Sequence, residues 1–408
     1  MDRIEGFYRL DLDQRRALME ERMGQVTYPD LGPQIGDAMV ENFLNYYQLP
    51  LGIATNLMVN GQTYQVPMVT EEPSVIAAAS NGAKLLGNIR VEVDQRILIG
   101  QIVLDQVADL EGAKDKLQAA IPQLMDHAKV LTQSMVDRGG GPQGMWVEIK
   151  KNFLTLYVAL DSQEAMGANA INQLLEDLTP YVSEITGGFA LLRILSNYQD
   201  QALARAEASI PISRLSQDPD LAMQIAANIA AAAHYASLDP YRAVTHNKGI
   251  MNGIDAVLLA TGNDWRAVNA GVHAFASRSG SYQPLSTWQV QGDDLVGQLT
   301  LPLAVATVGG TMKVHQQAQW SHRLLGNPNS QVLAGIIAAL GLAQNFAALK
   351  ALVTDGIQKG HMGLHARQLA LQVGASPDEM PALVNALKTV PKMSQQVAEQ
   401  ILRDLRQK

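Results

Sequence analysis

Cysteine is absent from this chain of 408 residues. Its absence excludes disulfide scaffolds, thiolate nucleophiles and metal centres with cysteine ligands, and it suits a reducing cytoplasm. Charged residues are also scarce, at 17% of the chain against about 25% in ordinary globular proteins. The apolar share is nonetheless 47%, which argues against disorder. We therefore expect a folded cytoplasmic protein.

Long apolar runs and an excess of positive charge are both missing. The most apolar run, Val332 to Ala343, ends at Gln344 and is shorter than the roughly 20 residues of a membrane-spanning helix. Three of residues 1–5 are charged and no signal-like apolar stretch follows them, so we expect no membrane anchor. With 31 basic against 39 acidic residues, a nucleic-acid partner is disfavoured, whereas a pocket for an anionic small molecule remains open.

The order of predicted elements indicates an α+β fold with two or three domains. Before residue 200 a strand–helix–strand–strand–helix–strand order is typical of a ferredoxin-like unit, and after Gly360 glycine and proline punctuate three short helices. We predict a large mixed helix-rich domain, an inserted ferredoxin-like small domain and a small helical C-terminal flap on a glycine hinge. Their predicted bounds are 1–100 and 199–358 for the large domain, 101–198 for the small domain and 359–408 for the flap.

Local signals fix several elements within this outline. Asn60-Gly61 favours a tight hairpin turn, and Pro73 suits the first turn of a helix, which puts Glu72 at the positive end of that helix. The segment from Leu221 to Ala236 is almost entirely apolar, so we expect a helix that is buried on all sides.

Gly139, Gly141 and Gly144 match the G-x-G-x-x-G pattern of dinucleotide-binding folds. The pattern follows a predicted helix, contains Pro142 and leads into a predicted strand, whereas the dinucleotide fingerprint needs a strand before it and a helix after it. We interpret these glycines as a loop that ends a helix. A nicotinamide cofactor, if bound, is bound outside a Rossmann fold.

His361 and His365 are four residues apart, the spacing of two zinc ligands on one helix face. No glutamate lies between them, as H-E-x-x-H would require, and no third ligand is evident. We therefore predict no metal site, although a zinc hydrolase stays as an alternative. One of these histidines could instead donate a proton from a helix start beside the hinge.

The densest polar cluster spans Asp239 to Gly253 and continues from Thr261 to Trp265. Singly, its residues have ordinary interpretations, since Asp264 could cap a helix and Lys248 could be a surface lysine. Together with Glu72, they offer one pocket a cation and two carboxylates, a combination suited to acid–base chemistry.

The segment from Met166 to Asn172 is predicted to begin a helix. Backbone N–H groups at such a position can hold a pyrophosphate, and small residues let it approach closely. The same small residues are also common where a helix packs on a sheet, so the segment alone favours neither interpretation.

Together these segments resemble the 3-hydroxy-3-methylglutaryl-coenzyme A (HMG-CoA) reductases, in their bacterial second class. The resemblance extends over essentially the whole chain. It rests on Pro67 to Ser74, Glu164 to Asn169, Asp239 to Asp255, Ala260 to Trp265 and Gly360 to Met362. One departure is Glu164, where the family often has aspartate.

The resemblance implies a homodimer with active sites at the subunit interface. The large domain would bind acyl-coenzyme A, the small domain would bind the nicotinamide cofactor, and the flap would close over the site with His361. The implied reaction is the four-electron reduction of HMG-CoA to mevalonate and coenzyme A in isoprenoid biosynthesis. It would consume two cofactor molecules and pass through a hemithioacetal and mevaldehyde.

Four catalytic residues are implied by the same resemblance. Lys248 would stabilise the negative charge that builds on the carbonyl oxygen, and Glu72 would donate a proton during aldehyde reduction. Asp264 would bridge these two side chains by hydrogen bonds, and His361 would protonate the departing thiolate.

Binding residues are implied as well. Arg242 would pair with the substrate carboxylate, and the acyl group would be bonded by Ser74, Asn197 and Asn252. The implied cofactor contacts are Met166, Gly167, Ala168, Asn169 and Asn172. The stretch from Lys129 to Gln133, where an acid would select NADH, contains none, so we predict NADPH with NADH as the alternative.

Two other functions stay open. The same enzyme could run in the oxidative direction and degrade mevalonate with NAD, which the sequence distinguishes only through cofactor preference. A catalytically silent coenzyme A-binding homologue would lack at least one of Glu72, Lys248, Asp264 and His361, and all four are present.

Overall fold

The computed structural model describes residues 3–26, 31–354, 356–390 and 392–407, without the side chains of residues 311 and 357–364. Its strands are β1 (Leu51–Val59), β2 (Gln62–Val69), β3 (Asn88–Val93), β4 (Leu98–Asp105), β5 (Gly141–Lys150), β6 (Phe153–Asp161), β7 (Phe189–Leu195), β8 (Leu203–Pro211), β9 (Ser286–Gln291) and β10 (Asp294–Pro302). Its helices are α1 (Leu12–Met23), α2 (Pro33–Met39), α3 (Pro73–Leu86), α4 (Leu110–Leu131), α5 (Gln133–Val136), α6 (Ala168–Thr186), α7 (Pro219–Leu238), α8 (Pro240–Ala260), α9 (Trp265–Ala276), α10 (Gln316–Leu324), α11 (Ser330–Val353), α12 (Ile357–Gln372), α13 (Met380–Leu387) and α14 (Gln395–Arg406).

Six strands form the larger sheet, in the order β2-β1-β3-β8-β10-β9. Neighbouring strands are antiparallel except for β1 and β3. The β1–β2 hairpin turns at Asn60 and Gly61, whose φ angles of 48° and 83° confirm the predicted turn. The apolar side chains of this sheet share one core with α3, α7, α8 and α11, and these helices position the candidate site.

Helix α11 lies at the centre of the larger core. Among the described helices it alone is long and apolar enough to cross a membrane by length and composition, and 89% of its most apolar window is buried inside the molecule. A Cβ added to Gly82 of α3 would lie 2.1 Å from the carbonyl oxygen of Ala343, so these two helices touch through a glycine. The apolar run that the sequence shows is therefore a core helix.

The smaller sheet has the order β5-β6-β4-β7, and every pair in it is antiparallel. Helices α4 and α6 pack on it around a separate apolar core. This order and succession are those of a ferredoxin-like unit, as predicted. The chain crosses between the sheets at residues 94–97 and 196–202. Strand β4 thus begins at Leu98, inside the stretch predicted for the large domain.

Helices α12 to α14 form a C-terminal unit with an apolar core of its own. Arg406 donates to both carboxylate oxygens of Glu379, at 2.7 and 3.0 Å, and this pairing lowers the pKa of Glu379 to about 2. The predicted glycine hinge is not at Gly360, because α12 begins at Ile357 and continues through that residue. The helix break instead lies just after Val353.

Helix α7 is exposed along one face, contrary to the prediction from its apolar sequence. Leu221, Tyr235 and Leu238 are 45%, 56% and 67% exposed, whereas Ala226 and Ile229 are fully buried. The prediction of burial on all sides is therefore wrong for this face, since a uniformly apolar helix gives no sequence signal of which side meets the core. A free apolar helix face is typical of a surface that contacts another protein.

Candidate active site

Glu72 and Lys248 meet at the start of helix α3. Pro73 occupies the first turn of this helix, as predicted, and Glu72 precedes it without bonding the free N–H groups there. Lys248 Nζ lies 3.6 Å from Glu72 Oε2, with 64% of the lysine and 40% of the glutamate side chain exposed. The Ser74 hydroxyl donates to Glu72 Oε1 at 2.9 Å. The structure thus brings three predicted residues into one accessible group.

Helix α8 carries Lys248 together with two predicted substrate-binding residues. Asp239 caps the helix by accepting a hydrogen bond from the backbone N–H of Arg242 at 2.9 Å. Arg242 and Asn252 are half-buried, and burial lowers the pKa of Arg242 from its ordinary value, although an arginine remains charged in proteins. The helix therefore presents a guanidinium, an ammonium and an amide in succession.

A buried polar network anchors α8 from beneath. His246 Nε2 lies 2.7 Å from Ser286 Oγ and 3.2 Å from Asn345 Nδ2, and Trp288 Nε1 donates to Asn345 Oδ1 at 2.8 Å. Burial, with a smaller contribution from the charge of Arg242, lowers the pKa of His246 to about 4. The imidazole is therefore neutral and structural. The sequence alone does not reveal this role of His246, because its partners lie 40 and 99 residues away along the chain.

Asp264 caps helix α9. Its Oδ1 accepts from the backbone N–H groups of Arg266 and Ala267, both at 3.1 Å. Within the described part of the chain its carboxylate contacts neither Glu72 nor Lys248, so the predicted bridge is not formed inside one chain. The two side chains are too far apart along α8. Twelve residues, or about 18 Å of helix, separate Lys248 from the end of α8, where the turn that carries Asp264 begins.

The segment predicted to hold a pyrophosphate lies at the start of helix α6. Gly167 precedes the helix with a φ of 78°, no side chain caps the N-terminus, and the first turn carries no acid. A Cβ added to Gly167 would lie 2.5 Å from Ser162 Cβ and 2.6 Å from Leu98 Cδ1. The uncapped N–H groups of this helix start can donate to a phosphate, and glycine at position 167 lets the helix start pack against Ser162 and Leu98.

Two further residues predicted to bind cofactor or substrate, Asn172 and Asn197, lie apart from the Glu72 group. Asn172 Oδ1 accepts from the backbone N–H of Leu195 at 2.9 Å, so this side chain ties α6 to β7. Asn197 is exposed on the bend after β7, and a Cβ added to Gly271 of α9 would lie 2.7 Å from its carbonyl oxygen. Its side chain touches no residue of the Glu72 group in the described chain. These partners depend on tertiary contacts that the sequence pattern does not reveal.

A cavity of about 1510 Å³ opens beside α3. Pro73 lines it, but Glu72 and Lys248 do not, so this large cavity adjoins the candidate catalytic group without containing it. The described residues that line the cavity include one acidic side chain, Glu5, and five basic side chains, namely Arg3, Arg9, Arg15, Arg16 and Lys84. Five cations around one cavity suit an anionic ligand.

The two C-terminal histidines remain less defined. His361 lies on α12, but its side chain is outside the described residues, and His365 is exposed one turn further on. Among the residues that the structure describes, no group of three or more histidine, aspartate and glutamate side chains is arranged to hold a metal ion.

Sequence comparisons point to one family. The family model for hydroxymethylglutaryl-coenzyme A reductase matches residues 11–366. A 3-hydroxy-3-methylglutaryl-coenzyme A reductase of Archaeoglobus fulgidus is 39% identical over 419 aligned residues, which cover 99% of this chain and 95% of that protein. A probable enzyme of the same name from Borreliella burgdorferi is 36% identical over 341 residues, covering 81% of this chain and 77% of that protein.

Solved structures agree with the sequence comparisons. A 3-hydroxy-3-methylglutaryl-coenzyme A reductase from Streptococcus pneumoniae matches with a TM-score of 0.83 and 44% identity, covering 98% of this chain and 99% of that one. A second structure, of the class II enzyme from that organism bound to NADPH in open conformations, matches with a TM-score of 0.81, covering 97% and 100%. The likeness therefore includes both sheets and the C-terminal helices.

Proposed function

The chain belongs to the hydroxymethylglutaryl-coenzyme A reductase family, and from this premise we propose that it reduces HMG-CoA to mevalonate and coenzyme A with two molecules of NADPH. The observation that carries the proposal is the 3.6 Å approach of Lys248 Nζ to Glu72 Oε2. A carbonyl oxygen placed beside this pair meets both a fixed cation and a carboxyl group that can donate a proton. NADPH, when bound, supplies the hydrides.

Lys248 and Glu72 have separable tasks in this proposal. Lys248 stabilises the negative charge that builds on the substrate oxygen at each reduction. Glu72, protonated at the second stage, donates its proton to the aldehyde oxygen, and the Ser74 hydroxyl then bonds the carboxylate left behind. Removal of Ser74 would leave that carboxylate with one partner fewer.

We assign the protonation of the departing thiolate to His361 of the C-terminal flap. The expected result for His361→Gln is loss of HMG-CoA reduction with retention of mevaldehyde reduction, because only the first of these releases a thiolate. Both rates can be measured on one preparation by following NADPH absorbance. Loss of both activities would contradict the assignment.

The NADPH site in this proposal is the start of α6, with Met166, Gly167, Ala168 and Asn169 along the cofactor. The uncapped N–H groups of this helix fit the pyrophosphate. The NADPH-bound neighbour from S. pneumoniae supports NADPH as the reductant, as does the absence of an acid between residues 129 and 133. Because the amide oxygen of Asn172 already accepts from Leu195, we assign Asn172 to holding α6 on β7.

The substrate site in this proposal is formed by residues of α3 and α8, which pack on the larger sheet. Arg242 bonds the terminal carboxylate of the acyl group, and Asn252 adds a hydrogen bond. The Ser74 oxygen, whose proton is donated to Glu72, can accept a hydrogen bond from the substrate hydroxyl, while Asn197 stays a prediction. The basic cavity beside α3 adjoins Pro73, so it is placed to receive the phosphates of coenzyme A. The large domain thus binds acyl-coenzyme A and the small domain NADPH.

A homodimer completes the proposed site. Around the exposed Lys248, Leu238, Tyr241 and Val244 are 67%, 86% and 53% exposed, which is an apolar surface that a second copy can cover. Asp264 does not reach Lys248 within its own chain, so we propose that Asp264 of one subunit joins Glu72 and Lys248 of the other. A cytoplasmic location, favoured by the cysteine-free composition, is part of the proposal.

The initial rate of NADPH oxidation with HMG-CoA tests the function, with NADH measured in parallel. Preference for NADPH supports a biosynthetic reductase, and preference for NADH would favour oxidative degradation of mevalonate. No turnover with either cofactor, in folded protein, would contradict the proposal and leave a silent coenzyme A-binding homologue.

A further inference from the structure

Arg96 lies where the chain first crosses from the larger to the smaller sheet. Only 7% of its surface is exposed, so a charged guanidinium is held inside the protein. Burial lowers its pKa, while the nearby carboxylates of Asp161 and Glu164 oppose that shift. Its two terminal nitrogens are hydrogen-bonded to fixed protein oxygens, whereas its Nε has no hydrogen-bond partner among the described residues.

The guanidinium bonds two segments, one that follows a strand of the larger sheet and one that follows a strand of the smaller sheet. Arg96 Nη1 donates to the carbonyl oxygen of Val305, 2.8 Å away, in the segment after β10. Nη2 donates to Ser162 Oγ at 2.9 Å and to the carbonyl oxygens of Gln163 and Ala165, in the segment after β6. That second segment leads directly into Gly167 at the start of α6, the proposed NADPH site.

Asn263 is hydrogen-bonded to the residue after Val305 in the same segment of the large domain. Its Oδ1 accepts from the backbone N–H of Ala306 at 2.8 Å, and its Nδ2 donates to the carbonyl oxygen of Ala306 at 3.2 Å. Asn263 is itself 7% exposed and directly precedes Asp264. A continuous series of hydrogen bonds therefore runs from the Asp264 turn, through residues 305–306 and Arg96, to the start of α6.

Glu164 makes a third link at this junction between the segment after β6 and the large domain. Its Oε2 accepts from the backbone N–H of Ser330 at 2.7 Å and from the Thr307 hydroxyl, and its Oε1 accepts from the Ser330 hydroxyl at 3.3 Å. Glu164 thus bonds Ser330, the first residue of α11. Its role here is a contact between the two sheets.

We propose that Arg96 is a positioning residue that fixes the NADPH-binding helix relative to Asp264, so that one chain presents the cofactor and the carboxylate as a unit. The inference rests on the proposed function. Lysine at position 96 would keep the positive charge but could not bond Val305 and the 162–165 segment in the same fork geometry. Small displacements of reacting groups cost rate more than they cost binding.

Arg96→Lys is the first test, with Arg90→Lys as the matched control because Arg90 is an exposed arginine on β3. In folded Arg96→Lys we expect kcat for HMG-CoA reduction to fall by about tenfold or more, with the KM for HMG-CoA and the Kd for NADPH within about twofold of wild type. Arg90→Lys should change none of these. A folded Arg96→Lys with unchanged kcat, or one that loses NADPH binding in proportion to kcat, would overturn the proposal.

Asn263→Ala tests the other end of the series and remains informative if Arg96→Lys does not fold. The same fall in kcat at unchanged ligand binding is expected, and its absence would overturn the proposal. Where both variants fold, the double variant should be about as slow as the slower single variant, because both release the same segment. If the loss of kcat in the double variant equals the product of the two single losses, the residues act independently, and the proposal is overturned. If wild type itself shows no turnover, the proposed function fails rather than the positioning role.

Discussion

Lys248 is the single residue on which the proposed chemistry depends most. Lys248→Ala should lower kcat by at least about a hundredfold in both HMG-CoA and mevaldehyde reduction, because it removes the cation that stabilises charge on the substrate oxygen. Lys150→Ala is the control, since Lys150 is equally an exposed lysine paired with a nearby glutamate, and its activity should stay within about twofold. A Lys248→Ala enzyme that still reduces mevaldehyde at the wild-type rate would remove Lys248 from the second step.

The buried imidazole of His246 makes the stability of the folded protein depend on pH. Its pKa is about 4 in the folded protein against an ordinary value of 6.5, so the unfolded chain binds the proton more readily. Above pH 6.5 the protonation of this group therefore does not reduce the free energy of unfolding. As the pH falls to 4, the free energy of unfolding decreases by about 3 kcal/mol because of this group.

The measurement is urea unfolding between pH 7 and pH 4.5 for wild type and His246→Gln. The variant should lose less stability than wild type on acidification, whatever its stability at pH 7, because its core no longer contains this imidazole. Equal losses in the two proteins would show that other groups cause the pH dependence.

At the scale of elements, the two ends of α6 offer a matched comparison. Gly167 and Gly187 flank this helix with φ angles of 78° and 67°, so alanine is strained at either position. A Cβ at Gly167 would also meet Ser162 and Leu98, whereas at Gly187 it would meet nothing within 4 Å. Gly167→Ala should therefore weaken NADPH binding by about tenfold or more, and Gly187→Ala should not. Equal NADPH affinities in a titration would contradict the placement of the cofactor.

Elements with local signals could be predicted from the sequence. The Asn60-Gly61 hairpin, the helix that starts at Pro73 and the ferredoxin-like order all follow from turn chemistry and alternation over short stretches. The exposed face of α7 did not follow, because an apolar helix looks the same whether it meets a core or a partner. The motif residues were identified for their chemistry, but the partners of Asn172 and Asp264 depend on how the elements pack.

Residues of the junction between the sheets could not be predicted either. Arg96 bonds residues 66 to 209 positions away, and nothing in its neighbouring sequence marks it. Glu164 could be noted only as a departure from the family pattern, and its contact with Ser330 spans 166 positions. Such contacts are set by the arrangement of whole domains.

At the scale of the whole molecule, the shared site predicts complementation between inactive subunits. Lys248→Ala and Asp264→Ala homodimers should each be inactive. Subunit exchange between them should restore about one quarter of wild-type activity, because half of the dimers are mixed and each of these has one intact site. No recovery, in mixtures shown to have exchanged subunits, would place both residues in a site formed by one chain.

The stoichiometry of a complete turnover shows whether this protein carries out the proposed four-electron reduction of HMG-CoA. Purified protein would be given limiting HMG-CoA and excess NADPH, and NADPH oxidised, thiol released and mevalonate formed would be measured in the same reaction. We expect two NADPH to be oxidised for each thiol released and each mevalonate formed. One NADPH per thiol with accumulated aldehyde, or NADPH oxidation without thiol release, would contradict it.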